Sequence, residues 1–260
     1  MPELDTIIDV DANPIADERF VKRCRDQLDA DGVVTIPGFI RPAALKALVA
    51  EAEAEKKNAY FTASTHNAYL TPPRDDLPAD HVFNRQITSS KGCITTDQVP
   101  QGSALHSIYN SPVFQQFLAA VVGKTALYEY ADPLSSINVH FADDGQELGW
   151  HFDNSSFAVT LLLQAPDDGG QFQYVRDVRD ADAGDLNFDA VGDVLDGRTH
   201  PCDLDVEPGT LVLFRGLNSM HRVTPTIGRR TRILVVLAYN TAPGIYLSEA
   251  ARMTFFGRLG

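Results

Sequence analysis

Gly149-Trp150-His151-Phe152-Asp153, running on into Ser156-Phe157-Ala158-Val159-Thr160-Leu161-Leu162-Leu163-Gln164, decides how this chain is read. The second stretch is an apolar run of strand length, and the first places a histidine and an aspartate two residues apart at its approach. Side chains at i and i+2 of an extended chain point the same way, so His151 and Asp153 can grip one ion while Phe152 turns into packing. A third ligand must come from elsewhere. Glu207-Pro208-Gly209-Thr210 reads as a turn, Leu211 to Phe214 as a short buried strand, and Ser219 to Pro225 as an extended segment carrying His221. Two imidazoles and one carboxylate on one face of an octahedral ferrous ion leave the opposite face open for a bidentate oxoacid and O2, unlike a closed structural zinc site. An isolated His-x-Asp more often caps a turn; the strand-mouth setting makes His151, Asp153 and His221 metal-ligand candidates.

After Gly228 comes a β-branched run, Arg230-Thr231-Arg232-Ile233-Leu234-Val235-Val236-Leu237-Ala238-Tyr239, in which Arg230, Arg232, Leu234, Val236 and Ala238 share one face. A guanidinium at the head of so apolar a strand needs an anionic partner, because an unpaired buried charge is costly. The distal carboxylate of 2-oxoglutarate would supply one, and arginine matches a carboxylate bidentately.

These segments, Glu147 to Asp153, Glu207 to Thr210, His221 to Pro225 and Arg232 to Gly244, resemble the 2-oxoglutarate and iron(II)-dependent oxygenases, and within them the bacterial branch of free amino-acid hydroxylases and radical halogenases. The likeness is strongest over residues 130–245. It implies that His151, Asp153 and His221 hold Fe(II), and that Arg232, eleven residues past His221, anchors 2-oxoglutarate. Arg230 is the alternative anchor, since another common form of the motif sets the arginine closer to the histidine. In halogenases of that branch a small residue replaces the carboxylate ligand and leaves room for chloride. This chain keeps Asp153, so the resemblance implies hydroxylation.

Composition narrows the function classes. A chain of 260 residues with 44% hydrophobic content can bury one sizeable core. A formal charge of -13 argues against nonspecific nucleic-acid or anionic-membrane partners. Cys24, Cys93 and Cys202 are widely separated and suggest neither a disulfide framework nor a zinc ribbon. With no apolar run long enough to span a bilayer and no leader pattern, a cytoplasmic location is expected.

Helices come first and strands later. Phe20, Cys24 and Leu28 have helical spacing, Gly32 to Ile36 reads as a short strand, and Pro42 opens a helix reaching about Asn58 with Leu45, Leu48 and Ala52 inward. Residues 60–105 are rich in turn formers and read as an irregular lid. Arg74 and Arg85 there are candidates for a substrate carboxylate, although surface hydrogen bonding accounts for each taken singly. A further helix runs from Pro112 to about Val122. Ser136 to Phe141 alternates as a strand with Asn138 and His140 on one face; if that face points inward, Asn138 could hydrogen-bond the oxoacid, and otherwise it is an ordinary half-exposed strand. Glu129 or Asn154 could meet a substrate amine. The aspartate-rich stretch 165–206 holds a strand from Gln171 to Val175 and then an exposed excursion, without the ligand order of an EF-hand.

The expected fold is mainly β with flanking helices: a double-stranded β-helix, the cupin-like jelly roll, as a single domain over 1–260. Its helical support and lid would fall at about 1–125 and its β-helix core at about 126–245. The expected activity is 2-oxoglutarate- and Fe(II)-dependent hydroxylation of a small molecule, best a free L-amino acid such as lysine, with O2 as cosubstrate. The alternatives are desaturation, cyclisation or demethylation by the same chemistry, or a non-catalytic cupin-like metal-binding module.

Overall fold

The computed structural model describes residues 3–260. Its helices are α1 (Leu4–Ile7), α2 (Glu18–Asp31), α3 (Pro42–Glu55), α4 (Ala104–Tyr109), α5 (Pro112–Val122), α6 (Phe188–Leu195) and α7 (Glu249–Phe256). Its strands are β1 (Val33–Ile36), β2 (Tyr60–His66), β3 (Ile87–Ile94), β4 (Ile137–Ala142), β5 (Leu148–His151), β6 (Ala158–Gln164), β7 (Asp168–Gly169), β8 (Phe172–Val175), β9 (Cys202–Leu204), β10 (Leu211–Phe214), β11 (Met220–Val223), β12 (Thr226–Ile227) and β13 (Arg232–Leu237). The helix starts follow local chemistry: the Asp17 carboxylate accepts from the backbone of Arg19 and Phe20, and Pro42 and Pro112 occupy first turns, where a missing N–H costs nothing.

One antiparallel sheet runs β1-β10-β6-β13-β4-β3-β5-β11-β8-β9, with β2 added to β3, and it curls into the expected jelly roll. Each central strand sorts its residues by face. On β13, Ile233, Val235 and Leu237 enter the main core, while Arg232, Leu234 and Val236 line an interior cavity. On β6, Val159, Leu161 and Leu163 take the core side, and Ala158, Thr160 and Leu162 the cavity side. The core face packs on the N-terminal helices through residues such as Phe20, Leu28, Leu48, Phe114 and Phe117. A second apolar cluster, including Tyr69, Phe83, Trp150, Phe152, Val191 and Met220, covers the outside of β5 and β11. Burial of Trp150, Phe152 and Met220 on that outer side turns the intervening His151, Asp153 and His221 inward.

Two expectations change. Residues 60–105 are not wholly irregular: β2 and β3 pair in continuous register from Tyr60↔Cys93 to His66↔Ile87 and extend the sheet. Their text hides this because β2 is polar or small at Thr62, Ala63, Ser64 and Thr65 and largely exposed, so no alternation marks it. The irregular lid is therefore confined to about 67–86. From the N-terminal part, β1, β2 and β3 extend the same sheet, while β4 to β13 lie within residues 126–245. The excursion after β8 contains α6, whose Val191 and Val194 are buried, and β9, which pairs with β8.

Candidate active site

The cavity enclosed by the curled sheet has a volume of about 1050 Å³, enough for an oxoacid and a small substrate together. His151 and His221 stand opposite each other on β5 and β11, with ring centroids 4.2 Å apart. His151 Nδ1 lies 2.8 Å from the Gly149 carbonyl oxygen, and His221 Nδ1 lies 3.1 Å from that of Ser219. A carbonyl oxygen can only accept, so each Nδ1 carries a proton and each ring turns its Nε2 toward the cavity. Both Nε2 atoms face Asp153 Oδ1, which lies 3.9 Å from that of His151 and 3.5 Å from that of His221. Asp153 itself lies just beyond the end of β5, fixed by its backbone N–H donating to the Gly216 carbonyl at 3.0 Å.

The residues fit a metal ion. His151, Asp153 and His221 offer ligand atoms all within 4.8 Å of one another. Asp153 Oδ2 is buried and has no hydrogen-bond partner, a cost that a bound cation removes. Backbone acceptors on both Nδ1 atoms are the usual support of metal-bound imidazoles. Burial, then the neighbouring His221, push His151 down to about 3, so it is neutral at working pH. Burial alone would raise the Asp153 carboxyl; His221, His151 and Lys91 together hold it below the ordinary range.

Space for that carboxylate depends on Gly216. A Cβ there would lie 1.9 Å from Asp153 Oδ2 and 2.6 Å from its Cγ. Arg179 stiffens the same segment: it donates to the Leu217 carbonyl at 2.8 Å, and its guanidinium lies 4.2 Å from the Phe152 ring centroid.

Arg232 opens β13 and reaches the cavity. Its Nε donates to the Gly170 carbonyl at 3.1 Å, and it makes no ion pair with any carboxylate among the described residues. Burial lowers its guanidinium to about 10, which leaves it cationic at neutral pH. The close approach requires glycine: Gly170 has φ +60, and a Cβ there would meet Arg232 Cδ at 2.9 Å.

Other candidate residues fall elsewhere. Arg230 is exposed and does not itself line the cavity; it pairs at 3.3 Å with Asp167, a half-exposed residue of the cavity wall. Asn138 is buried, but its amide donates to the Leu134 and Ile137 carbonyls at 2.9 and 3.0 Å, and it does not line the cavity. Arg74 pairs with Asp76 at 2.5 Å and Arg85 with Asp196, both on the outer surface. Glu129 lines a separate, smaller cleft beside Tyr109 and Asp132. Asn154 does line the main cavity. The structure thus brings His151, Asp153, His221, Arg232 and Asn154 together, and leaves Arg230, Asn138, Arg74, Arg85 and Glu129 apart.

Two further cavity residues were not among the sequence's site candidates. Lys91 on β3 and His140 on β4 both line the cavity, with Lys91 Nζ 3.3 Å from each nitrogen of the His140 ring. Burial depresses the Lys91 ammonium and pushes His140 well below the ordinary imidazole value. His140 was visible as the companion of Asn138 on an alternating strand; Lys91 was lost with β3.

A curled jelly roll with two histidines, an aspartate and an inward arginine defines a class, the 2-oxoglutarate- and iron(II)-dependent oxygenases. The family model described as Halogenase D matches residues 16–250, and the chain belongs to that family. Among solved structures, the chain is similar to the non-heme alpha-ketoglutarate-dependent epimerase SnoN of nogalamycin biosynthesis, at 12% identity and TM-score 0.59 over 86% of this chain and 81% of that one. It is also similar to the carbocyclase SnoK of the same biosynthesis, at 13% identity and TM-score 0.58 over 89% and 90%. A 2OG-Fe(II) oxygenase family oxidoreductase from Burkholderia pseudomallei matches at 14% identity and TM-score 0.54 over 86% and 92%. No curated protein matches the chain. The chain is an enzyme of the 2-oxoglutarate-dependent oxygenase class, with a histidine, aspartate and histidine set that fits a metal ion, which sets aside the non-catalytic module. No helix among the described residues is long and apolar enough to cross a membrane.

Proposed function

We propose that this enzyme hydroxylates an unactivated C–H bond of a small molecule, a free L-amino acid being the class to try first and lysine the first member. In this reading His151, Asp153 and His221 hold iron(II), and Arg232 holds the distal carboxylate of 2-oxoglutarate. Bound iron with 2-oxoglutarate and O2 supplies the oxidant for C–H cleavage, with succinate and CO2 as by-products. The chain's own contribution is placement. His151 and His221 would offer their Nε2 atoms, the Asp153 carboxylate stays ionised beside them, and Arg232 would hold the distal carboxylate of the oxoacid in the same cavity.

The observation that carries hydroxylation over halogenation is the buried, unpartnered Asp153 Oδ2. A carboxylate stands where the family's halogenases, in the resemblance drawn above, have a small residue and room for chloride. Asn154 at the cavity wall supplies an amide for the substrate's polar groups.

The test is a screen of free amino acids and short peptides with iron-loaded enzyme, reading succinate release together with a mass gain of one oxygen. The expected result is turnover of a free amino acid. Turnover confined to a peptide, a lipid or a nucleobase would refute the substrate class while leaving the oxygenase assignment in place.

A further inference from the structure

Lys91 is a half-buried cation of the cavity wall whose one part so far is at a distance, helping to hold Asp153 ionised. It makes no ion pair with any carboxylate among the described residues, and its ammonium lies beside the His140 ring. An ammonium equally 3.3 Å from both ring nitrogens is in line with neither lone pair, so His140 does not satisfy it. On its other side is the Phe255 ring of α7, 5.7 Å from Nζ. Cavity space adjoins it, since Lys91, His140 and Phe255 all line the same void as the metal triad.

Charge balance shows what kind of group is missing. This step rests on the oxygenase reading of the site. A doubly positive metal, singly negative Asp153, doubly negative oxoacid and singly positive Arg232 sum to zero. His140 is held neutral by burial and by Lys91 and Arg232 beside it. The Lys91 charge is therefore left without a counter-charge in the cavity wall, where a half-buried ammonium lacking a partner is unfavourable. Both charges of the oxoacid already have partners, one in the metal and one in Arg232.

We propose that Lys91, backed by His140, is the subsite for the carboxylate of the substrate, distinct from the Arg232 anchor of the oxoacid. The site then selects an acid over the corresponding neutral amide, and it does so from β3, a strand of the N-terminal half, while the metal ligands come from β5, β11 and the segment after β5.

Wild type, Lys91→Met and Lys91→Arg are loaded with iron(II) and 2-oxoglutarate without oxygen. Each is titrated with the proteinogenic L-amino acids and with their amides, following the visible band of the chelated oxoacid. The expected result is that at least one acid binds wild type about 10–100-fold more tightly than its amide, the worth of one charge-assisted contact. Lys91→Met should lose that preference, and Lys91→Arg should keep most of it. The half-saturating 2-oxoglutarate concentration should stay within about twofold across the three proteins, which also shows that the variants fold. A preference unchanged in Lys91→Met, no acid binding better than its amide, or a rise in the 2-oxoglutarate requirement matching that of an Arg232 variant would each overturn the proposal. Absence of the band from metallated wild type would instead remove the oxygenase reading itself, and the proposal with it.

Discussion

Gly216 and Asp153 share one space: the carboxylate occupies the volume that any side chain at residue 216 would need, with a Cβ there only 1.9 Å from Oδ2. The consequence is a coupling between the two positions. Gly216→Ala must displace the carboxylate and should lower metal affinity about 10–100-fold, the usual range for disturbing the support of a ligand. In an Asp153→Gly background the same change no longer meets the carboxylate, and metal affinity should move by no more than about twofold. Isothermal titration with manganese(II) checks the cycle, and equal losses in both backgrounds would disprove the coupling.

The metal itself should stabilise the fold. With free ion at a hundred times its dissociation constant, the expected gain is about 2.7 kcal/mol, read as a rise in the denaturation midpoint that EDTA reverses. His151→Ala and His221→Ala should remove that gain. A gain surviving in either variant would show that the ion binds elsewhere.

Arg232→Leu should raise the half-saturating 2-oxoglutarate concentration by the equivalent of about 1.5–3 kcal/mol, with a much smaller effect on metal affinity. Arg230→Leu should do little, because Arg230 is already paired with Asp167 on the exposed side. Reversal of the two effects would show that Arg230, not Arg232, holds the oxoacid.

The difference between these arginines also shows what the sequence could carry. Alternation along β13 identified the inward face, and the ligand spacing at β5 and β11 was legible because an ion demands particular residue types. Which of two arginines on one face reaches the cavity was not legible, since that depends on where the strand begins and on Asp167 in a distant turn. Arg74 and Arg85 found acids on their own surface, a pairing without sequence periodicity. Lys91 was missed for a different reason: β2 and β3 pair through small and polar residues facing solvent or the cavity, so no hydrophobic pattern announces them. The inward turn of Gly216 toward Asp153 is a contact across 63 residues of chain and leaves no local signal.

Chloride should not divert the reaction. With the Asp153 carboxylate in place, product formed in high chloride should carry oxygen and no halogen, as read by mass spectrometry. Chlorinated product from wild type would contradict the hydroxylase assignment. Asp153→Gly should mostly inactivate the enzyme, because removing a ligand does not move the substrate to favour halogen transfer.

The strand head that presents Arg232 is held by Asp143, which offers a pH test. Lys56 Nζ and Thr231 Oγ1 both donate to Asp143 Oδ1 at 2.5 Å, and Lys56 also donates to Thr231 Oγ1 at 2.8 Å, tying the end of β4 to the residue before Arg232. Partial burial pushes the Asp143 carboxyl up, but the bonds from Lys56 and Thr231 outweigh it and leave the group below its ordinary value. A depressed carboxylate contributes stability that is fully present above its unfolded value, about 3.9, and is lost as pH falls through the lower folded value. Asp143→Asn should therefore cost stability at neutral pH, about 0.5–1 kcal/mol given that the pair is partly exposed and screened. The difference from wild type should shrink as pH drops below about 4. Urea denaturation of both proteins at neutral and acidic pH measures this directly, and a difference that persists undiminished in acid would show that the charge on Asp143 is not what holds the strand head.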